Sequence, residues 1–354
     1  MVLYAAGFAH AQTVAFINPG KTGEHYWETS AQAMQAAADS LGMKLEVHYA
    51  QREHPRAFEL ARSLVARPPA ERPQYVVLSN DYSTGPELLR ILEGSGIRTL
   101  MAFSRLTPEQ RATHGGPRQQ FKDWIGSLEP RALDAGYQTA RALIRQGRAA
   151  KAYAPDGKLH LLMLAGDRST TSSILRNEGM RRAVAEAKDV MVDQEAYASW
   201  SREGGHEKAA WLLDRHPQAR LVWAGNDLMA FGAMDAVQER GGMPGKTMWF
   251  SGVNTSPEAL QAVQSGRMAA LSGGHFITGA WAMVMIHDYH HGKDFASEGL
   301  ELERSMFALF TPALAQRYLQ RWGSGFGGVD FRQYSKVHNP RVKKYDFGFA
   351  QLLR

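Results

Sequence analysis

The segment TVAFINPGKTGEHYWETSAQAMQAAADSLG, residues 13–42, decides the fold class. Val14-Ala15-Phe16-Ile17 is a continuous apolar run, which is typical of a strand buried on both faces of a parallel sheet. Asn18-Pro19-Gly20 ends that strand. Apolar residues then recur at spacings of three and four up to Leu41, and this pattern predicts a helix that Gly42 terminates. A buried strand followed by an amphipathic helix is the opening half of a βαβ unit.

Two series of alternating strands and helices follow from this pattern. The predicted strands of the first series are 14–17, 45–49, 75–79 and 99–103, and those of the second are 161–165, 190–192, 221–224 and 248–253. A long predicted helix over residues 130–146 separates the two series. Such alternation gives right-handed βαβ connections, so we predict an α/β fold with two similar Rossmann-like lobes, each built on a parallel sheet.

Composition narrows the class of protein. The chain has 354 residues, which suggests about two domains, and its 44% hydrophobic and 21% charged residues are close to the average for globular proteins. The net charge of +6 is spread without a basic stripe, which argues against a nucleic-acid binder. The longest apolar run of the body, Phe276–Ile286, is too short for a membrane span, which needs roughly 20 residues.

The chain contains no cysteine, which excludes disulfides, thiol catalysis and Cys-rich zinc sites. At the amino terminus, a short apolar stretch ends in Ala9-His10-Ala11, which has the small-x-small form of a signal-peptidase site. We therefore expect residues 1–11 to be the remnant of a secretory signal. An ordinary alanine-rich terminus is the alternative.

Known catalytic motifs are weak or absent. Gly20-Lys21-Thr22 resembles the end of a phosphate loop, but the glycine required five positions earlier is replaced by Ala15 inside the strand. His287, His290 and His291 could share a metal, although a helix end favours histidine for electrostatic reasons alone. No Gly-x-Ser-x-Gly elbow is present. We therefore predict a protein that is not an enzyme and has no catalytic residues, no metal and no cofactor.

Polar and aromatic residues cluster after the predicted strands. Ligands of open parallel sheets bind outside the carboxyl ends of the strands. The residues found at these places are Lys21, Glu24, Tyr26, Trp27, Asn80, Asp81, Tyr82, Ser104, Arg105, Asp167, Arg168, Asn226, Asp227 and Asn254. A helix cap or turn is the better interpretation for Ser169, Asp227 and Ser256. Together, flat aromatic faces and planar polar groups suit a sugar-like ligand.

Three motifs carry a family resemblance. They are Arg176-Asn177-Glu178-Gly179-Met180, the run from Gly225 to Ala233 that contains Asn226-Asp227, and the turn Ser251–Pro257. On these motifs the chain resembles periplasmic sugar-binding proteins of the ribose- and galactose-binding type over roughly residues 13–310. The resemblance implies the type I periplasmic binding protein fold, shared with the ligand domains of LacI-like repressors, in which three strand crossovers form a hinge between the lobes.

The resemblance also implies a binding site. It makes Tyr26 and Trp27 aromatic stackers and Glu24 a polar ligand group. Asn254 and Ser104 stand where relatives often carry Asp, and Glu24 and Asp81 would compensate for those losses. The complete predicted ligand-binding set is Glu24, Tyr26, Trp27, Asp81, Arg105, Trp124, Arg176, Asn226, Asn254 and His275.

The resemblance further implies a domain organisation. It places the crossovers near Gly126-Ser127, Gly273-Gly274 and Glu303–Ser305. The first lobe would comprise residues 12–127 and 274–303, and the second lobe residues 128–273 and 304–325. Residues 326–354 would form a tail packed on one lobe by its aromatic residues, among them Phe331, Tyr334, Tyr345 and Phe347.

These expectations define a function. We expect a secreted, periplasmic and monomeric solute-binding protein that closes two lobes around a small polar ligand, a sugar or sugar derivative, for the membrane permease of an ABC importer. The alternative is a ligand-sensing receptor that docks on a membrane sensor kinase or cyclase, an idea prompted by the aromatic and basic tail after Phe310. Nucleic acid is not an expected partner, because too few residues precede the first strand for a helix-turn-helix.

Overall fold

The computed structural model describes residues 11–323 and 325–353, so the predicted signal remnant lies, except for Ala11, outside the described residues. The strands are β1 (Thr13–Asn18), β2 (Lys44–Tyr49), β3 (Tyr75–Leu78), β4 (Arg98–Ala102), β5 (Trp124–Pro130), β6 (Leu159–Ala165), β7 (Val190–Tyr197), β8 (Leu221–Ala224), β9 (Trp249–Val253), β10 (Ala270–Gly273), β11 (Glu301–Arg304) and β12 (Ala308–Leu309). The helices are α1 (His25–Leu41), α2 (His54–Ala66), α3 (Gly85–Leu92), α4 (Pro108–His114), α5 (Ala132–Ala149), α6 (Thr171–Ala185), α7 (Arg202–Arg215), α8 (Asp227–Glu239), α9 (Pro257–Gln264), α10 (Thr278–His290) and α11 (Pro312–Trp322). None of these helices has the length and apolar character that a bilayer span requires.

The strands form two six-stranded sheets. Their orders are β11-β5-β4-β3-β1-β2 and β12-β10-β9-β8-β6-β7. Every pairing is parallel except that of β12 with β10. We call the first sheet with α1–α4 and α10 the first lobe, and the second sheet with α5–α9 and α11 the second lobe. The predicted α/β class with two parallel-sheet lobes is confirmed.

The continuous apolar run of β1 is explained by two cores, one on each side of the first sheet. Val14 and Phe16 are fully buried in a core that includes residues of α1 and α10. Ala15 and Ile17 point to the other face, into a core with residues of α2 and α3. A strand covered by helices on both faces has no solvent side, so polar alternation is absent from its sequence.

The chain passes between the lobes at three places before α11. Strand β5 stays in the first sheet up to Pro130, beside β4 and β11, and the second lobe begins with α5 at Ala132. The predicted first crossover at Gly126-Ser127 is therefore a few residues early, because these residues are still paired within the sheet. The second passage follows β10 at Gly273, and the third lies between Arg304 and Ala308.

After α11 the chain returns to the first lobe. The rings of Phe331, Tyr334 and Phe347 all contact the indole of Trp281 on α10, with Phe347 stacked at a centroid distance of 5.2 Å. The Tyr345 hydroxyl donates to Asp288 Oδ2 at 2.7 Å. The terminal segment is thus held by both an apolar and a polar contact to one helix of the first lobe.

Candidate functional site: a cavity between the lobes

A cavity of about 480 Å³, including its mouth, lies between the carboxyl ends of the two sheets. Only about 50 Å³ of this space is open to the centres of water-sized molecules, so the cavity is small in this closed arrangement. The residues that line it are Glu24, Tyr26, Trp27, Arg52, Asp81, Phe103, Pro130, Ser172, Arg176, Trp200, Asn226, Asn254 and His275. Both lobes contribute, so a molecule in the cavity would touch both.

An aromatic wall forms the first-lobe side. Trp27 lies in the first turn of α1 and packs edge-on against Phe103 at 5.1 Å and against Tyr26 at 4.9 Å. Gly20 makes room for the indole, since a Cβ at that position would fall 2.1 Å from the ring. The indole N–H of Trp27 is buried without a hydrogen-bond partner in the described structure. The wall therefore offers ring faces and one unused donor.

The first lobe contributes three charged side chains to the cavity, those of Glu24, Arg52 and Asp81. Arg52 Nε donates to Glu24 Oε2 at 3.0 Å, its Nη2 donates to Glu24 Oε1, and its Nη1 donates to the Tyr82 hydroxyl at 3.3 Å. Asp81 Oδ2 lies 3.9 Å from Arg52, and Asp81 Oδ1 accepts from Ser79 Oγ at 2.7 Å. Burial raises the pKa of Asp81 to about 6 against the lowering effect of Arg52. The Glu24 carboxylate is thus occupied in orienting Arg52.

Arg176 is the second-lobe charge. It projects from α6, is 5% exposed, and donates from Nη1 to Gly225 O at 2.8 Å and from Nη2 to His275 Nε2 at 2.9 Å. Its guanidinium lies 5.5 Å from the ring of Trp200 and 5.9 Å from that of Phe307. Burial lowers its pKa to about 10, so the group remains protonated at neutral pH. Its Nε is buried and has no hydrogen-bond partner in the part of the chain that the structure describes.

His275 is neutral and its tautomer is determined by Arg176. Burial, followed by the charge of Arg176, lowers the pKa of His275 well below its usual value. Because a guanidinium only donates, His275 Nε2 must accept, and the ring hydrogen is therefore on Nδ1. This Nδ1 is buried and, among the described residues, has no hydrogen-bond partner. The ring is stacked between Tyr26 and Phe307, with centroid distances of 4.6 Å to each.

The two asparagines of the cavity are held by the second lobe. Asn226 caps α8 by accepting from Met229 N at 2.9 Å and donates from Nδ2 to Trp200 O at 2.9 Å. Asn254 Nδ2 donates to Asp227 Oδ1 at 2.7 Å. Asn226 therefore fixes the loop that carries Trp200, as well as lining the cavity.

Two of the predicted site residues lie outside the cavity lining. Trp124 is the first residue of β5, at the end of the strand opposite to the cavity, where it is fully buried and its indole N–H donates to Gly126 O at 2.9 Å. The Arg105 side chain forms a 2.8 Å ion pair with Glu129. Burial raises the pKa of Glu129 to about 8, although Arg105 opposes this. The other predicted residues, Glu24, Tyr26, Trp27, Asp81, Arg176, Asn226, Asn254 and His275, all line the cavity.

Five lining residues are absent from the predicted set, namely Arg52, Phe103, Pro130, Ser172 and Trp200. The strand-end rule points to three of them. Arg52 follows β2, Phe103 follows β4, and Trp200 follows β7. The prediction from the sequence names no residue after β2 or β7, and names Arg105 rather than Phe103 after β4. Strain is a second signal, visible only in the structure. Arg52, Phe103, Trp200 and Asn254 have φ values of 63°, 70°, 62° and 125°, which are costly for non-glycine residues and cluster at functional sites.

Direct hydrogen bonds join the lobes at the rim of the cavity. Tyr82 N donates to Thr170 Oγ1 at 3.0 Å, and Thr171 Oγ1 donates to Arg105 O at 2.8 Å. On the second lobe, Asp167 Oδ1 accepts from Thr170 N at 2.7 Å, and Asp167 Oδ2 accepts from the Trp200 indole at 2.7 Å. The lobes are therefore in a closed arrangement, with rim and cavity coupled through Asp167.

The three histidines at the end of α10 contact residues of the first lobe. His290 Nδ1 lies 3.2 Å from the Tyr75 hydroxyl, and His291 Nδ1 lies 2.8 Å from His287 O. His287 contacts its neighbour Asp288 at 3.3 Å. Across residues 11–323 and 325–353, no group of three or more His, Asp or Glu side chains is arranged to hold a metal ion.

Known proteins share this architecture. The chain is 38% identical to a periplasmic sugar-binding protein from Pseudomonas fluorescens, whose crystal structure superposes with a TM-score of 0.86 and covers 97% of this chain and 100% of that one. It is 34% identical to the ribose import binding protein of Salmonella typhimurium over 31% of this chain and 36% of that protein. A xylitol-binding protein of Mycolicibacterium smegmatis is 29% identical over 41% of this chain and 38% of its own length. The chain thus aligns with little more than a third of each of these two curated relatives.

The model of the periplasmic binding protein domain matches residues 14–294. Proteins of this family bind solutes and are not enzymes, in agreement with the prediction from the sequence. The family match, the full-length structural relative and the cavity between two parallel-sheet lobes establish that the chain is a member of the periplasmic binding protein family.

Proposed function

We propose that this chain is a periplasmic, monomeric solute-binding protein that captures one uncharged, polyhydroxylated molecule, a sugar or sugar derivative, and presents it to the permease of an ABC importer. The observation that carries the proposal is the cavity between the lobes, which is lined by aromatic faces, by charged groups of both lobes and by residues with unused hydrogen-bond donors.

The balance of charge supports an uncharged ligand. In the cavity, two guanidinium groups, Arg52 and Arg176, are matched by the two carboxylates of Glu24 and Asp81. Arg52 and Glu24 neutralise each other by direct contact. An ionic ligand would leave one charge uncompensated in a buried site, which is costly. A neutral molecule leaves the balance intact.

The unpartnered groups support a polyhydroxylated ligand. The buried N–H groups of Trp27 Nε1, Arg176 Nε and His275 Nδ1 have no acceptor among residues 11–323 and 325–353, and a buried donor without a partner costs roughly 1–3 kcal/mol. Hydroxyl oxygens would accept from these donors, while a hydroxyl hydrogen could be donated to the Asp81 carboxylate. Aromatic faces such as that of Trp27 suit the C–H face of a sugar ring.

The named relatives support the ligand class. Their names assign ribose, xylitol and sugar as ligands of those proteins. Ligand contacts to both lobes would favour the closed arrangement, because a ligand shifts a conformational equilibrium by its difference in affinity for the two states. Closure would then distinguish the loaded protein from the empty one at the permease.

The sensor-receptor alternative receives no support from the terminal segment. The aromatic residues that prompted it, among them Phe331, Tyr345 and Phe347, are buried against the chain's own first lobe. They are therefore not available as a surface for a sensor protein.

The test is a thermal-shift screen of pentoses, hexoses, polyols and sugar acids, followed by calorimetric titration of each compound that raises the Tm. A ligand at 100 times its Kd stabilises the folded protein by about 2.7 kcal/mol. Arg176→Gln should weaken binding roughly 10- to 100-fold, since hydrogen bonds to charged groups contribute about 1.5–3 kcal/mol.

Arg182→Gln is the matched control. Arg182 lies on the same helix, α6, with an exposed side chain, and should leave affinity unchanged. The proposal fails if no compound in the screen raises the Tm. It also fails if the two variants bind the hit equally well. Tighter binding of sugar acids than of the matching neutral sugars would refute the uncharged ligand alone.

A further inference from the structure

The segment after α11 crosses the hinge. Helix α11 packs on α9 of the second lobe. The chain then places Phe326 against Phe276, at 5.1 Å, just beyond the second passage between the lobes. It next reaches the first lobe, where Phe331 N donates a hydrogen bond to Ser40 Oγ at 2.8 Å. We call residues 325–353 the C-terminal segment. It is a further covalent connection between the lobes, beyond the three passages of the strands.

The middle of the C-terminal segment is anchored to the first lobe at two buried carboxylates. Asp288 on α10 accepts from Lys336 N at 2.6 Å and from the Tyr345 hydroxyl at 2.7 Å. Glu298 accepts from Lys336 Nζ and, at 3.0 Å, from Tyr345 N. Asp288 is fully buried and the Glu298 side chain is 4% exposed. Buried charges held by several donors make a firm attachment, because loss of one partner leaves a charge unpaired.

The end of the C-terminal segment returns to the hinge. Tyr345 O accepts from Arg304 Nε at 2.8 Å, and Arg304 is the last residue of β11, directly before the third passage. Phe349 lies on Gly274, directly after the second passage, where a Cβ would fall 2.3 Å from its ring. This one stretch of chain therefore contacts residues at two of the three passages between the lobes.

Phe349 touches both lobes. Its ring centroid is 5.7 Å from that of Phe276, which leads into α10 of the first lobe. It is 6.4 Å from Phe310, which follows β12, and 6.1 Å from Tyr318 on α11, both in the second lobe. Phe349 is 1% exposed. A rotation that moves Phe276 away from Phe310 and Tyr318 would uncover the ring of Phe349, and exposing an apolar ring to water is unfavourable.

From these contacts we propose that the C-terminal segment is a hinge clamp, in which Phe349 holds the closed arrangement of the lobes and so regulates ligand capture. The proposal rests on the binding function proposed above only in that closure encloses the ligand. The anchors at Asp288 and Glu298 fix the segment to the first lobe, and Phe349 transmits that position to the second lobe. Removing the ring should shift the population towards open lobes without changing any residue of the cavity.

The experiment measures the distance between the lobes without ligand. Because the chain has no cysteine, Glu59→Cys on α2 and Glu207→Cys on α7 introduce two unique, exposed sites for spin labels, one on each lobe. Distance distributions from pulsed electron resonance are compared for the labelled protein with and without Phe349→Ala. Phe331→Ala is the matched control, because that ring contacts Trp281 and Tyr334 but no ring of the second lobe.

We expect Phe349→Ala to move the main distance to longer values, and Phe331→Ala to leave it in place. Phe349→Leu, which keeps most of the apolar volume, should give an intermediate shift and covers the case in which the alanine variant does not fold. Unchanged distances in both Phe349 variants would overturn the clamp, and so would equal shifts in the Phe331 control. Since no ligand enters this measurement, a failed sugar screen would refute the binding proposal and leave the distance result standing.

Discussion

Asp81→Asn should make the unliganded protein more stable and less able to bind its ligand. Asp81 is 7% exposed, and its carboxylate is offset from Arg52 by 3.9 Å rather than hydrogen-bonded to it. An amide can keep the 2.7 Å bond from Ser79 Oγ while removing the buried charge. The same change removes the charged acceptor that we assign to a ligand hydroxyl.

The size of the stabilisation follows from the pKa. Burial raises the pKa of Asp81 from 3.8 to about 6, with Asp167 and Glu24 adding to burial and Arg52 opposing it. At 1.36 kcal/mol per pKa unit, the ionised carboxylate costs the folded state about 3 kcal/mol at pH 7.5. This destabilisation of the folded state by ionised Asp81 is complete above the folded-state pKa and decreases as the pH falls through 6. About 1.6 kcal/mol of it remains at pH 5.

The assay is urea unfolding of both proteins at pH 7.5 and pH 5, without ligand. We expect the variant to be more stable by up to about 3 kcal/mol at pH 7.5, and we expect this advantage to shrink by about 1.4 kcal/mol at pH 5. Titrations with the best compound of the sugar screen should show weaker binding to the variant by roughly 10- to 100-fold. A variant that is less stable at both pH values, or an advantage independent of pH, would refute the reasoning.

Two further substitutions separate structural from binding roles. Trp124→Phe should destabilise the fold by roughly 2 kcal/mol, because a buried indole and its hydrogen bond to Gly126 O are lost. Ligand affinity should stay within twofold of wild type. A large loss of affinity measured by calorimetry would show that Trp124 contributes to ligand binding. Thr171→Val removes a hydrogen bond between the lobes, from Thr171 Oγ1 to Arg105 O, while Arg105 O keeps Asn80 as a second donor. Ligand affinity should therefore fall roughly two- to tenfold, while the Tm without ligand changes little. Unchanged affinity would show that this hydrogen bond does not contribute to closure.

The fold was predictable wherever burial was complete on both faces. Strands β1, β3, β6 and β8 read as continuous apolar runs because helices cover both sides of each sheet. Strand β7 lies at a sheet edge and is half exposed, so only its first residues, from Val190, were predicted. Helices α4 and α11 were not predicted, although Thr107 and Thr311 each cap a helix that begins with proline. Helix α4 has seven residues, none of them buried, and α11 buries only Ala315, Tyr318 and Trp322, so neither helix carries a long apolar pattern.

The sequence predicted which residues lie near the cavity, but not which of these residues contact one another. The strand-end rule found Trp27 and Asp81 because the carboxyl ends of parallel strands share one edge, whereas Arg176, inside α6, was predicted from the family resemblance. The same rule could not show that Glu24 is occupied by Arg52, since the two are 28 residues apart and meet only when β1 and β2 pair. Sequence gives the type of group at an edge, whereas the contacts among those groups depend on register and rotamer.

The cavity combines several features that each cost folding free energy. It holds an ionisable carboxyl with a raised pKa at Asp81, a guanidinium without a carboxylate in contact at Arg176, and left-handed backbone at Arg52 and Trp200. Folding alone would favour replacing each of these, as the expected stability of Asp81→Asn illustrates. Their concentration in one cavity is explained if a ligand satisfies the unpaired groups when the lobes close. The same groups that destabilise the empty protein then contribute favourable contacts to the bound ligand. Substitution of Asp81 should therefore raise the stability of the unliganded protein and lower its affinity for the ligand.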